Sequence, residues 1–162
     1  MPRNPAKTQP YSYERSWNYV LWLLSRKAYT RKELEDKLKR KGAALEDTEK
    51  VMLKLEGLGY LDDASYAEMY VKSRQHTKGI NALRRELLQK GISDTILQKT
   101  LAGLEEDSQT EAALKVLEQQ AWRFGNEEPR KRYAKAYAFL ARRGFQSATV
   151  SEALELSNLL KE

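Results

Sequence analysis

The chain lacks cysteine altogether and has one histidine, His76. Without cysteine it can form neither disulfides nor thiolate zinc sites, and a cysteine nucleophile is excluded. This composition suits a reducing compartment. His76 falls near a predicted helix end, where a surface or capping role is favoured over a catalytic one. A catalytic histidine therefore has little basis in this sequence.

Long hydrophobic runs and nucleotide-binding motifs are also missing. The uncharged run at 16–25 is shorter than the roughly 18 apolar residues that a membrane span needs, so we expect neither a transmembrane helix nor a signal peptide. Neither GxxxxGK[ST] nor GxGxxG occurs. We therefore expect no enzyme activity, no metal and no cofactor.

Positive charge is in excess and is unevenly distributed. The chain has 29 Lys and Arg against 23 Asp and Glu, a net charge of +6. Residues 71–102 hold seven basic and two acidic side chains, whereas 1–70 hold thirteen and eleven and 103–162 hold nine and ten. This excess favours an acidic partner, with the middle of the chain as the cationic part.

Hydrophobic spacing predicts helices with one buried face. Trp17, Val20, Leu21 and Leu24 follow the i, i+3, i+4, i+7 pattern of an amphipathic helix. Thr30 followed by Glu33 forms a capping box, which begins a second helix that Gly42 ends. We expect a third helix to bury Val51, Leu55 and Leu58, and a fourth to bury Tyr66, Met69 and Tyr70.

One helix ending occurs three times: LKRKG at 38–42, LLQKG at 87–91 and LARRG at 140–144. The glycines are 49 and 53 residues apart, and a hydrophobic residue follows ten positions after each: Met52, Leu101, Leu154. This period predicts an all-α fold, an elongated array of three tandem three-helix, helix-turn-helix-like repeats. The predicted segments are a disordered tail at 1–12 and repeats at 13–60, 61–104 (the most basic) and 105–162.

Asp62 and Asp63 are the most conspicuous carboxylate pair. They could serve acid–base chemistry or hold magnesium, but they precede a helix, where aspartate accepts backbone N–H bonds and favours the helix dipole. We favour this structural role. The same interpretation covers the turn glycines, so the predicted turn and cap residues are Gly42, Gly59, Asp62, Asp63, Gly91 and Gly144.

Basic side chains cluster at equivalent points of the three repeats. One cluster usually means only a solvated helix face, but three in register suit a polyanion such as a nucleic acid backbone. The candidate binding residues are Lys39, Arg40, Lys41, Arg74, Lys78, Arg84, Arg85, Lys90, Arg142 and Arg143. A sequence-reading helix-turn-helix is less favoured, because the helix after Gly144 has no Lys or Arg before Lys161.

Three stretches resemble the bacterial RecX family, regulators of the RecA recombinase: GYLDDASYAEMYVKSR (59–74), KGINALRRELLQKGIS (78–93) and, more loosely, AFLARRGF (138–145). The resemblance implies a cytoplasmic, non-enzymatic protein of tandem three-helix repeats. It further implies binding to the RecA filament on single-stranded DNA, limiting filament growth, ATP hydrolysis, strand exchange and co-protease activity in recombinational repair and the SOS response.

Two other classes of function stay open. A general DNA-binding accessory protein would share the basic face but need no recombinase, and a transcriptional repressor would prefer one duplex site. In the favoured interpretation the partners are the RecA filament and single-stranded DNA, with weaker duplex binding and no membrane. We expect a monomer, because three self-capping units need no dimer.

Overall fold

The described part of the chain consists of helices joined by turns. In a computed structural model, which describes residues 9–104 and 106–160, the helices are α1 Tyr13–Leu24, α2 Arg31–Arg40, α3 Leu45–Gly57, α4 Asp63–Arg74, α5 Ile80–Gln89, α6 Asp94–Leu101, α7 Glu106–Gln119, α8 Pro129–Arg142 and α9 Ser147–Leu156. Short 3-10 turns follow α7 at Ala121–Arg123 and α9 at Asn158–Leu160. Within these residues there is no strand, and the predicted all-α class with three tandem three-helix repeats is confirmed.

Side-chain caps and glycines set the helix ends. Ser12, Thr30 and Ser93 accept N–H bonds at the starts of α1, α2 and α6, and at α2 the capping box is complete because Glu33 accepts from the Thr30 N–H. The glycines after α2, α3, α5 and α8 have φ of +75°, +76°, +82° and +91°. Only glycine adopts this left-handed region without steric cost, so each of these helices ends where the chain turns.

The described chain forms two compact units, the first ending at Tyr66. In this first unit α1 and α2 pack on α3, and fully buried leucines, Val51 and Met52 form the core. Leu23 of α1 is also buried. The prediction that Leu58 is buried is wrong, since its side chain is 54% exposed. Leu58 caps the end of α3, beyond the turns that face α1 and α2.

The N-terminal stretch predicted to be disordered is described only in part. Residues 1–8 lie outside the described residues. Tyr11 donates its backbone N–H to the Lys41 carbonyl at 3.1 Å, and Pro10 lies beside Gly42. Residues 9–12 therefore run along the end of α2.

The second unit begins at Ala67 and contains the rest of the described chain. Helices α7, α8 and α9 share a core that includes Leu117, Leu140 and Leu154. In α4 the buried residues are Ala67 and Val71. The predicted burial of Met69 is wrong, as it is 66% exposed, and Tyr66 and Tyr70 are only partly buried. Apolar residues occur on several sides of α4, so hydrophobic spacing could not select its inner face.

The start of α5 lies directly against the turn between α8 and α9. Gly79 donates its N–H to the Arg143 carbonyl, and Asn81 donates to the Gly144 carbonyl, both at 2.9 Å. A Cβ atom on Gly79 would lie 2.1 Å from the Phe145 nitrogen, and one on Gly144 would lie 2.3 Å from the Ala82 Cβ. Both positions therefore require glycine, and the basic ending of α8 is held beside the start of α5.

The exact limits of the three repeats stay a prediction. Glu105, the predicted start of the third repeat, lies outside the described residues. Glu106 and Asp107 form the first turn of α7, where acidic side chains complement the helix dipole.

Candidate functional site

The candidate cations of the first unit lie at the end of α2. Lys39 and Arg40 occupy its last turn and Lys41 its C-cap, and all three are exposed. Positive side chains are favoured there by the negative end of the helix dipole. The Lys41 ammonium also lies 5.5 Å from the centre of the Tyr19 ring and 5.8 Å from that of Tyr11. This end of α2 therefore combines cations with aromatic rings.

Arg31 belongs to the same basic stretch but is engaged internally. Its guanidinium donates to Glu35 at 2.8 Å, to Glu49 at 2.6 Å and to Glu56 at 2.5 Å. Although partial burial opposes the charge, the hydrogen bonds to these carboxylates outweigh it and raise the pKa of Arg31 above its usual value. Arg31 therefore links α2 to α3, and its charge is already shared by three carboxylates of the first unit.

The two aspartates before and at the start of α4 have structural contacts. Asp62 accepts the Ser65 N–H at 3.0 Å and its hydroxyl at 2.9 Å, and these bonds lower the pKa of the Asp62 carboxyl. Asp63 accepts the Arg31 N–H at 2.9 Å and so joins the start of α4 to the start of α2. Burial raises the pKa of Asp63, and the bond from Arg31 only partly offsets it.

In the second unit, three candidate cations gather around a tyrosine–glutamate pair. The Tyr70 hydroxyl donates to Glu86 Oε2 at 2.6 Å, and the Lys78 ammonium pairs with Glu86 Oε1. The Arg74 guanidinium lies 4.0 Å from the Tyr70 ring centre and the Lys90 ammonium 5.8 Å from it. Sequence reasoning missed this arrangement, because Lys78 precedes α5 and its partner is eight residues on.

The contacts within this cluster shift the pKa values of Glu86 and Tyr70. Burial raises the pKa of Glu86, but the hydrogen bonds from Lys78 and Tyr70 outweigh it, so the pKa lies below its usual value. Burial, followed by the bond to Glu86, raises the pKa of Tyr70 to about 12. At neutral pH the cluster therefore contains an ionised Glu86 and a neutral Tyr70.

The other candidate cations of the second unit face solvent. Arg84 and Arg85 project from α5, opposite its buried Ala82, Leu83 and Leu87. Neither arginine forms an ion pair with any residue that the structure describes. Arg142 ends α8 and Arg143 is its C-cap, and both are exposed. Because the Arg143 carbonyl binds Gly79, these two arginines lie near the start of α5.

His76 and two tyrosines of α8 are the other residues of chemical interest. His76 is exposed. In 9–104 and 106–160 no group of three or more His, Cys, Asp or Glu side chains is placed to hold a metal. Across the same ranges, no helix is both long and apolar enough to cross a bilayer. On α8, Tyr133 is 38% exposed and stacks on Tyr137, with ring centres 6.2 Å apart.

A row of four side chains along α1 and just beyond its end was not predicted as functional. Arg15, Tyr19, Trp22 and Arg26 follow one another at i, i+4, i+7 and i+11, which places them along one side of the helix. Trp22 is 51% exposed, whereas Trp17 is partly buried. The spacing itself was the available signal, because it places two aromatic residues between two arginines on one face.

Comparisons with known proteins agree across all three repeats. Family models described as the first, second and third three-helix domains of RecX match residues 17–55, 62–101 and 106–154. A regulatory protein RecX of Prosthecochloris aestuarii is 35% identical over 140 residues, covering 85% of this chain and 90% of that protein. One from Thermus thermophilus is 34% identical over 139 residues, covering 86% and 89%.

Solved structures give the same result. The crystal structure of RecX from Lactobacillus salivarius superimposes with a TM-score of 0.80 at 28% identity, covering 88% of this chain and 94% of that one. A second crystal structure of regulatory protein RecX gives a TM-score of 0.82 at 28% identity, covering 88% of this chain and 73% of that one. The likeness therefore extends from sequence to fold.

Proposed function

The chain belongs to the RecX family of regulatory proteins, and we propose from this that it regulates a RecA recombinase by binding the recombinase filament on single-stranded DNA. Binding limits filament growth, ATP hydrolysis, strand exchange and co-protease activity, and so restrains recombinational repair and the SOS response. The candidate cations contact DNA phosphates or acidic recombinase surface. A cytoplasmic monomer suits this role.

The observation that carries the proposal is the pair of exposed arginines on α5. Arg84 and Arg85 have no ion-pair partner within the described parts of the chain, in contrast to Arg31 and Lys78. Arginine binds phosphate or carboxylate through two parallel N–H donors, which suits contacts to a polyanion. Such contacts fix position on a backbone without reading sequence.

A mechanism follows from repetition. Three similar repeats provide more than one binding surface in a single chain, so one molecule can contact neighbouring recombinase subunits. Bridging of this kind opposes the rearrangement of subunits that hydrolysis and growth require. The inhibitor then acts at a ratio well below one copy per recombinase monomer.

The primary test is ATP hydrolysis by RecA on single-stranded DNA, with this protein far below the recombinase concentration and DNA in excess. We expect strong inhibition that persists as more DNA is added. Inhibition that appears only near DNA saturation, or vanishes with added DNA, would assign the protein to general DNA binding instead.

The basic surface is tested by reversing its charge. Arg84→Glu with Arg85→Glu is expected to weaken inhibition at least about tenfold, corresponding to about 1.4 kcal/mol or more. The matched control is Lys99→Glu with Lys115→Glu, two exposed lysines on α6 and α7 outside the candidate set. Equal inhibition by both double variants, with DNA binding unchanged, would show that the α5 arginines are not at the interface.

A sequence-specific repressor is less consistent with the fold. In a helix-turn-helix the helix after the turn enters the major groove and presents polar and basic residues. Here that helix in the third repeat is α9, which contains no Lys or Arg and buries Thr149, Val150, Ala153 and Leu154. Comparing one random duplex, one single strand and one recombinase-coated strand separates these classes.

A further inference from the structure

One face of the first unit carries a row of three aromatic rings with cations beside them. Tyr11 and Tyr19 meet edge to face with ring centres 5.6 Å apart, and Tyr19 stacks on Trp22 at 6.2 Å with only 16° between the planes. Arg15 lies 4.5 Å from the centre of the Tyr11 ring, and Arg26 lies 4.5 Å from that of Trp22. We refer to Tyr11, Arg15, Tyr19, Trp22, Arg26 and Lys41 as the aromatic stripe.

The helix geometry makes this row continuous. Arg15, Tyr19 and Trp22 lie on α1, and Arg26 follows just beyond its end. Tyr11 is held beside them because its N–H binds the Lys41 carbonyl, which also brings the Lys41 ammonium over the rings. The eleven positions from Arg15 to Arg26 correspond to about 16 Å at a rise of ~1.5 Å per residue.

Trp22 lies outside the core of the first unit, since its side chain is 51% exposed. Tyr19 is half-buried and packs on the edge of that core, next to the face of α1 that buries Ser16, Val20 and Leu23. Exposure alone does not mark a binding site, but the Trp22 ring also stacks on Tyr19 and has three cations around the pair, a grouping that suits a ligand. The surrounding charges are positive, since Arg15, Arg26 and Lys41 each lie over a ring.

We propose that the aromatic stripe binds single-stranded nucleic acid by stacking its bases on Tyr19 and Trp22 while Arg15, Arg26 and Lys41 contact the phosphates. Exposed bases and a negatively charged backbone are the two chemical groups that such a surface matches. The proposal rests on the proposed function for its choice of a polynucleotide as ligand. It adds a second, chemically different contact to the cations of α5.

The cations over the rings do not block this site. A cation–ring contact at an exposed position contributes less than the stacking of a base on an aromatic side chain. A base can therefore replace Arg26 over Trp22, and the displaced guanidinium is then available for the adjacent phosphate. Stacking requires an unpaired base, so the stripe discriminates single strand from duplex.

The test uses a fluorescent oligothymidylate of about 20 nucleotides and an abasic deoxyribose-phosphate strand of the same length, which has the same charge but no bases. We expect the protein to bind the oligothymidylate more tightly. Trp22→Ala is expected to weaken that binding about 5- to 150-fold, or about 1–3 kcal/mol at 1.4 kcal/mol per factor of ten, and to leave binding to the abasic strand within about twofold.

Two control variants are compared with Trp22→Ala. Trp22→Phe keeps a ring and is expected to recover most of the affinity. Trp122→Ala removes a tryptophan that is 79% exposed on the second unit and is expected to change neither strand's binding. If Trp22→Ala fails to fold, Trp17→Phe with Trp122→Phe leaves Trp22 as the sole tryptophan, and its emission should be quenched by oligothymidylate but not by the abasic strand.

Several outcomes would overturn the proposal. One is equal binding of both strands by the wild-type protein, or unchanged oligothymidylate affinity in a folded Trp22→Ala variant. Another is loss of recombinase inhibition in Trp22→Ala with oligothymidylate binding intact, which would assign the stripe to a protein surface. Failure of the proposed function is a separate result. It would appear as no inhibition of the recombinase by the wild-type protein, whatever the oligonucleotide measurements give.

Discussion

Replacing Gly79 by alanine is expected to disrupt the packing of α5 on the turn between α8 and α9. Gly79 has an ordinary negative φ of −78°, so alanine causes no backbone strain there. Its Cβ would lie 2.1 Å from the Phe145 nitrogen and 2.2 Å from the Gly144 carbonyl carbon. These are backbone atoms, so no side-chain rotation relieves the overlap, and the two segments have to separate.

The expected loss in the free energy of unfolding follows from the contacts that this separation breaks. Both hydrogen bonds that join the segments, Gly79 to Arg143 and Asn81 to Gly144, are 2.9 Å long and would be lost or stretched. At about 1 kcal/mol net for each bond and about 1–3 kcal/mol for overpacking, Gly79→Ala costs about 3–5 kcal/mol. Gly144→Ala meets Ala82 and also forces alanine to a φ of +91°, which adds about 1–2 kcal/mol.

Gly59→Ala is the matched control, because it measures only the cost of placing alanine at a positive φ. Gly59 has a φ of +76° and nothing within 4 Å of an added Cβ, so only about 1–2 kcal/mol is expected. Urea unfolding followed by circular dichroism measures all three variants. We expect the loss of stability to increase from Gly59→Ala to Gly79→Ala to Gly144→Ala. A loss at Gly79 no larger than that at Gly59 would refute the close approach of α5 to this turn.

Two further predictions concern internal ion pairs. Arg31→Gln leaves three glutamates without their shared donor and is expected to cost about 2 kcal/mol in urea unfolding, whereas Lys32→Gln, an exposed neighbour, should cost less than about 0.5 kcal/mol. For Glu86→Gln the sign follows from the lowered pKa of Glu86: its stabilisation is present above the ordinary value of 4.5 and is lost as pH falls through the folded pKa. The melting temperatures of the wild-type protein and of Glu86→Gln should therefore differ at about pH 7 and converge on acidification. A difference that stays constant with pH would contradict the stabilising role of the Glu86 carboxylate.

Local signals predicted the fold because each is complete within a few residues. The Thr30–Glu33 capping box needs only four residues, and both of its hydrogen bonds are present. Glycine lies four positions after a leucine at the ends of α2, α5 and α8, because the left-handed turn that closes a helix disfavours residues with a Cβ. These signals do not depend on how helices pack, so the sequence contained them in full.

Burial and charge pairing were harder to predict because they depend on neighbours distant in sequence. Met69 is exposed although it is apolar, since Ala67 and Val71 occupy the inner face of α4. Lys78 was a candidate for phosphate binding, yet its ammonium pairs with Glu86, eight residues away and on the next helix. Arg31 contacts Glu49 and Glu56 across the α2–α3 interface, and only its i, i+4 pairing with Glu35 was readable from spacing.

In the two proposals, the two units would offer different chemistry to the same kind of ligand, and this difference would affect selectivity. The exposed arginines of α5 can contact any phosphate backbone, so they add affinity without separating single strand from duplex. In the proposed site, the rings of Tyr19 and Trp22 would accept only bases that are unpaired and unstacked. For the proposed regulator of a filament on single-stranded DNA, phosphate contacts would add affinity and base stacking would favour single strand over duplex.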